Sequence, residues 1–233
     1  MSGPERHIPL GEARGYGPPR LFLLYVLARG VLGSLALVIG LASLYGVLQG
    51  WAATDAKGGW GIAEVLKQFG LLQAMPALIA SVIGISAWSP LGEVERTAAS
   101  SLPRLRLLHI GPLLALGIGV SWAWLQAWTS RSPGIELEFA ALRNLLGMTG
   151  ATLLFGRFLD ARISWLPPLG IAVVAMFAAM NGAPARIWSP PVWIWNGQAP
   201  DVPSSWLIAL AVFSSGAALF LRDGAKDASG EEE

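Results

Sequence analysis

Apolar residues in this chain fall in long blocks, the arrangement of a chain solvated by lipid rather than one folded around a water-enclosed core. Six blocks approach the roughly 20 residues that a helix needs to cross a hydrocarbon layer. They cover residues 27–50, 69–88, 107–128, 140–158, 166–180 and 205–221. The pattern predicts an all-α fold, a polytopic membrane helix bundle with six transmembrane helices. The second block contains Pro76, read as a kink that neighbouring helices satisfy. The fourth is the weakest, because Arg143 and Arg157 bracket its apolar centre.

The polar connections set the predicted sidedness. With an even number of spans both ends of the bundle lie on one side. That side collects Arg6, Arg14, Arg20, Arg29, Arg96, Arg104, Arg106, Arg157, Arg162, Arg222 and Lys226. The other side holds Lys57, Lys67, Arg131, Arg143 and Arg186. Eleven basic residues against five place both termini in the cytoplasm by the positive-inside rule. The domain layout that follows is an N-terminal cytoplasmic segment (1–26), a membrane domain (27–222) and a disordered acidic tail (223–233). No cleavable signal peptide is expected, since the first apolar block is preceded by a polar, Gly- and Pro-containing stretch and is long enough to span.

One connection is unlike the others. Residues 181–204 read NGAPARIWSPPVWIWNGQAPDVPS, too apolar for a free loop and too broken by proline for a span. Trp188, Trp193 and Trp195 suit a membrane interface. The segment is read as a re-entrant hairpin between helices five and six that packs on protein.

Composition agrees with a membrane chain and removes several chemistries. Hydrophobic residues make up 54% of the 233 positions and charged residues 13%, too little charge to cover a soluble surface. There are no cysteines, so thiolate metal sites and thiol catalysis are excluded. A formal net charge of +1 offers no electrostatic case for nucleic acid. No GxxxxGK[ST] loop or GxSxG elbow occurs, so no catalytic residue, metal or cofactor is assigned. His109 is read as an interfacial residue rather than a ligand. The Arg-over-Lys bias with abundant Ala and Gly suggests a bacterial chain, and hence the inner (plasma) membrane.

Intramembrane polarity supplies the remaining candidates. Arg143 either snorkels to the headgroups, pairs with a carboxylate such as Glu64, Glu136 or Glu138, or meets a substrate. Gln73 and Asn144 either bond between helices or line the same translocation path. Gly46 with Gly50, and Gly147 with Gly150 and Ala151, form small faces suited to close helix packing.

The segment 89–109, SPLGEVERTAASSLPRLRLLH, precedes the third apolar block. It resembles the coupling-helix region of ABC-2 type permeases, the six-span membrane subunits of many bacterial ABC exporters. Glu93 or Glu95, Thr97, Leu102, Pro103, Arg104 and Arg106 stand where that family has an acidic residue, a threonine, a Leu-rich turn, a proline and basic residues. Arg96 replaces the usual glycine, and His109 stands where a lysine often opens span three. The six spans, the cytoplasmic termini and the outer hairpin extend the resemblance over nearly the whole chain. It implies a permease subunit with coupling residues in 89–106, energised by a separate ABC ATPase, paired with a second permease copy or paralogue, and held in membrane lipid. The chain would then not itself be an enzyme. The alternative is a non-transporting membrane scaffold, immunity or assembly protein.

Overall fold

The computed structural model describes residues 30–54, 73–87, 102–129, 135–159, 163–180, 192–199 and 201–224. Among these residues the chain forms six α-helices, one 3-10 helix and no strand. The helices are α1 (Val31–Thr54), α2 (Met75–Ser86), α3 (Leu102–Thr129), α4 (Ile135–Phe158), α5 (Leu166–Met180) and α6 (Pro203–Asp223). The 3-10 helix, Val192–Gly197, lies between α5 and α6. Two helical stretches, Pro103–Ala123 and Pro203–Asp223, are long and apolar enough to cross a membrane.

The apolar blocks and the helices coincide, with corrections at their edges. Pro76, expected at a kink, stands just past the junction of a π turn and α2. It sits in the first turn of α2, directly after a π turn at Gln73 and Ala74, where a missing N–H costs no helical bond. Likewise α3 begins at Leu102 rather than at 107, with Pro103 again in the first turn, so the last residues of the expected 89–106 connection are helical. Pro112 lies inside α3. Helix α4 begins at Ile135, five residues ahead of its apolar block, and α1 runs on to Thr54. The acidic tail starts later than expected: Asp223 is the last residue of α6, which closes on Gly224 at φ 80°.

Helices α2 and α4 form the centre. One core cluster joins Val38, Ile79, Ile83, Ile110, Leu113, Leu145, Leu153 and Phe220, drawn from α1, α2, α3, α4 and α6. A second joins Ala77, Ala80, Met148, Ala172, Trp195 and Ala209, drawn from α2, α4, α5, the 3-10 helix and α6. Between Ala140 and Leu153, α4 is buried at every position except two half-buried leucines. This explains its weak hydropathy: a helix enclosed by protein has no need of a wholly apolar surface. Large apolar side chains instead point outward from the other helices, among them Leu32 and Val47 on α1, Leu107 and Leu108 on α3, and Leu207 on α6.

Glycines set how closely the central helices approach. A Cβ on Gly150 would meet the backbone of Phe213, and one on Gly216 would meet the carbonyl of Gly150. Helices α4 and α6 therefore touch backbone to backbone, as small-residue faces in membrane helices allow. Gly147 on the same face receives the indole of Trp195. The expected small face of Gly147 and Gly150 is thus divided between α6 and the 3-10 helix. The packing at Gly46 and Gly50 lies outside the described residues.

Candidate functional site

After the 3-10 helix the chain turns through Gln198 and Ala199 toward α6, with the Gln198 N–H donating to Trp195 and the Val202 N–H to Ala199, and the turn brings the carbonyls of Asn196, Gln198 and Ala199 toward α4. Arg143 meets them. Its Nη2 donates to the carbonyls of Asn196 (3.2 Å) and Gln198 (2.8 Å). Its Nη1 donates to the carbonyl of Ala199 (3.0 Å) and to Ser205 Oγ (2.7 Å). Its Nε donates to Asn144 Oδ1 (3.2 Å). A guanidinium has five N–H groups, and these five bonds engage all of them.

Neighbouring amides close the network. Asn144 Nδ2 donates to the Asn196 carbonyl at 3.1 Å, and Gln73 Nε2 donates to the same oxygen. The Asn196 side chain returns a bond to Gln73 Oε1 at 2.6 Å. Ser205 accepts from Arg143 and donates to the Val202 carbonyl at 2.7 Å. One backbone oxygen thus gathers donors from α4 and from the π turn that opens α2, while Ser205 adds the first turn of α6.

The side chains of this hub are buried, and its edge at Gln198 and Ala199 reaches the surface. Arg143 is 0% exposed and is the largest fully buried side chain among the described residues. It does not snorkel. None of its five bonds goes to a carboxylate; carbonyl, amide and hydroxyl dipoles solvate the charge instead. Such a charge is tolerable only when every donor is met, because each unmet buried polar group costs about 1–3 kcal/mol. With its donors engaged, the guanidinium has no N–H left for a ligand. Its chemistry is positioning: it ties irregular backbone to the bundle.

The opposite end of the bundle is organised by a second arginine. Arg106, in the second turn of α3, is 6% exposed. Its Nη1 donates to the last carbonyls of α6, those of Phe220 (3.4 Å), Leu221 (3.1 Å) and Arg222 (3.3 Å). A cation at a helix C-terminus also opposes the negative end of its dipole. The guanidinium lies 5.9 Å from the ring centroid of Phe220. A turn further along α3, His109 Nε2 lies 3.0 Å from Ser86 Oγ at the end of α2. Arg157 at the end of α4 pairs with Asp223 at 3.4 Å. The ends of α2, α4 and α6 and the start of α3 therefore share one end of the bundle. The starts of α2 and α6 and the first half of α4 share the hub end, the up-and-down alternation that the connections predict.

The expected site residues separate into groups. Gln73, Arg143 and Asn144, read from sequence as candidates for one path, do converge, and they converge on a single backbone carbonyl. Trp195 is buried against Gly147. Trp193 belongs to the 3-10 helix, with its side chain outside the described residues, as is the whole of Trp188. Of the coupling residues, Glu93, Glu95, Arg96 and Thr97 lie outside the described residues. Leu102 opens α3, Pro103 and Arg104 are exposed on its first turn, and Arg106 turns inward. Sequence reasoning missed Asn196 and Ser205. Their only signal was a polar residue inside an apolar Trp-rich run and a serine just after a helix-opening proline. Among the described residues no group of three His, Cys, Asp or Glu side chains gathers to hold a metal. No family model, no curated protein and no solved structure matches the chain.

Proposed function

We propose that this chain is a polytopic membrane protein of the bacterial inner membrane, with both termini cytoplasmic, that serves as the permease subunit of an ABC-2-like exporter. A separate ATPase subunit energises it and a second copy or paralogue completes the transport unit. Support for the membrane reading comes from the inverted polarity of the bundle: leucines and valines point outward while an arginine, an asparagine and a glutamine meet in its interior. Outside a bilayer, apolar exposure on this scale would drive association.

The observation that carries the permease reading is the connection between α5 and α6. Its 3-10 helix packs into the bundle and is held there by Arg143, at the position where the resemblance to ABC-2 permeases calls for an outer re-entrant hairpin. At the other end Arg104 is exposed on the first turn of α3, as a residue docking on a partner must be. Arg106, used internally, leaves Arg104 with Glu93, Glu95 and Arg96 as the charged contacts for that partner. The scaffold reading draws on a different observation: the polar residues eligible to line a path are bonded to one another.

The experiment that separates them is reconstitution of the chain with its co-purifying ATPase. The double variant Glu95→Ala and Arg104→Ala is expected to keep wild-type expression and thermal stability while lowering ATP hydrolysis by the pair. Undiminished hydrolysis removes the coupling assignment, and failure of any ATPase to co-purify favours the scaffold. For sidedness, Gly58→Cys in intact cells should react with an impermeant thiol reagent and Ser100→Cys should not.

A further inference from the structure

We propose that the ends of α4 and α6 form a headgroup site for an anionic phospholipid, with Arg157 and Arg222 as its phosphate-binding groups; the inference rests on the membrane reading above. Asp223 lies between the two arginines. Arg157 Nε is 3.4 Å from its Oδ2, and Arg222 Nε is 3.5 Å from its Oδ1. Both guanidinium groups thus reach the carboxylate through Nε alone. Their Nη groups, the forked ends suited to a phosphate, are unbonded within the described chain. Two guanidinium charges against one carboxylate leave one positive charge on the trio.

The surroundings suit a lipid rather than a soluble anion. The Arg157 and Arg222 side chains are 44% and 83% exposed. Phe158, next to Arg157, is 64% exposed, and Ile163 and Leu166 at the start of α5 are also exposed on this end of the bundle. Apolar side chains beside basic ones match acyl chains beside headgroups. The last carbonyls of α6, whose partial negative charge would repel a phosphate, are already covered by Arg106. The charge excess favours lipids with net negative headgroups, because a zwitterionic headgroup brings its own cation.

The test uses the purified full-length chain, with retained lipid measured by native mass spectrometry after exchange into equal phosphatidylglycerol and phosphatidylcholine. The wild type should retain the anionic lipid preferentially. Arg157→Gln with Arg222→Gln should lower that preference by roughly fivefold per arginine, the effect of about 1 kcal/mol for each basic group at an anionic surface. Asp223→Asn should raise it, because the competing carboxylate is gone. If the trio is only a strut between α4 and α6, both variants lower the melting temperature, neither changes the lipid ratio, and the proposal is overturned. Equal stabilisation by inorganic phosphate alone also overturns it, in favour of a free-anion site. So does loss of a co-purifying ATPase from the double arginine variant at an unchanged lipid ratio. A chain that enters bilayers yet holds both lipids equally sinks this proposal alone, whereas one that fails to enter them sinks the membrane reading.

Discussion

Two arginines are buried at opposite ends of this bundle, and both donate to backbone carbonyls, but they do different work. Arg106 caps a regular helix through one nitrogen, at carbonyls that every helix leaves open at its C-terminus. Arg143 uses five N–H groups to hold a segment that has little regular structure of its own. A cap adds stability to an element that forms without it. The hub gathers three carbonyls of the 3-10 helix and the turn after it onto one side chain of α4. The contrast teaches that burial of a charge does not measure its role; what matters is which segments its acceptors belong to and how many of them it ties together.

The largest effect should follow from emptying the hub. Arg143→Leu removes the charge and the bonds it gives to the carbonyls of Asn196, Gln198 and Ala199 and to Ser205 Oγ, although the Asn196 carbonyl keeps Gln73 and Asn144, the Ala199 carbonyl keeps the N–H of Val202, and Ser205 keeps its bond to the Val202 carbonyl. Five lost bonds to a buried cation, offset by the second partners that most of these acceptors keep, predict a loss of about 2–4 kcal/mol after relaxation. Arg143→Lys should recover only part of this, because one ammonium with three donors cannot span acceptors on both sides of the 3-10 helix end. Chemical unfolding in detergent solution measures both. A loss below about 1 kcal/mol for the leucine variant would mean that the 3-10 helix is held by Trp195 against Gly147 and not by the arginine.

Next in size are the glycines between the central helices. Gly150→Ala places a methyl against the backbone of Phe213, and Gly216→Ala places one against the Gly150 carbonyl. Backbone cannot rotate aside as a side chain can, so the helices must separate. The expected cost is about 1–3 kcal/mol for either variant, with a combined cost smaller than the sum, since one separation relieves both clashes. Gly119→Ala on α3 serves as the control, because an added Cβ there meets nothing within 4 Å. Equal losses at Gly119 and Gly150 would show that helix propensity or detergent contact, and not α4–α6 packing, sets the response.

How much of this could be read from the sequence differs between the two ends for a physical reason. Apolar block length is a property of each segment alone, so the helices were legible, and α5 was placed to the residue. The small face of Gly147 and Gly150 was legible as a face, but its partners were not, because any helix can use a small surface. Arg143 was legible as a charge inside an apolar block. Its inward direction was not, because its acceptors are mostly backbone carbonyls, which every residue carries and no sequence pattern marks. The same blindness assigned Arg106 to a partner-facing loop, when three carbonyls of α6 turn it inward. The fourth block was legible as a helix despite its two arginines, and its weakness reflects a helix that packs on protein from Ala140 to Leu153.

The smallest effect, and the one that sharpens the comparison most, is expected at Arg106. Arg106→Gln keeps a donor near the end of α6 but removes the charge that opposes the helix dipole. A cation at a partly buried helix C-terminus contributes up to about 2 kcal/mol, and a retained amide bond recovers some of it, so a loss of about 1 kcal/mol is expected. The carbonyls of Leu221 and Arg222 are only partly buried and can turn to solvent, whereas the Asn196 carbonyl at the hub is buried under three donors. Ser205 at the hub and Phe220 at the cap are separated along α6 by roughly 22 Å at about 1.5 Å per residue. With no shared partner across that span, the Arg106→Gln and Arg143→Leu losses should add within about 0.5 kcal/mol. Additivity would establish two independent ties at the two ends of one helix. A combined loss well short of the sum would mean that α6 responds as a rigid rod, released at both ends by either change, and the distinction between cap and hub would fail.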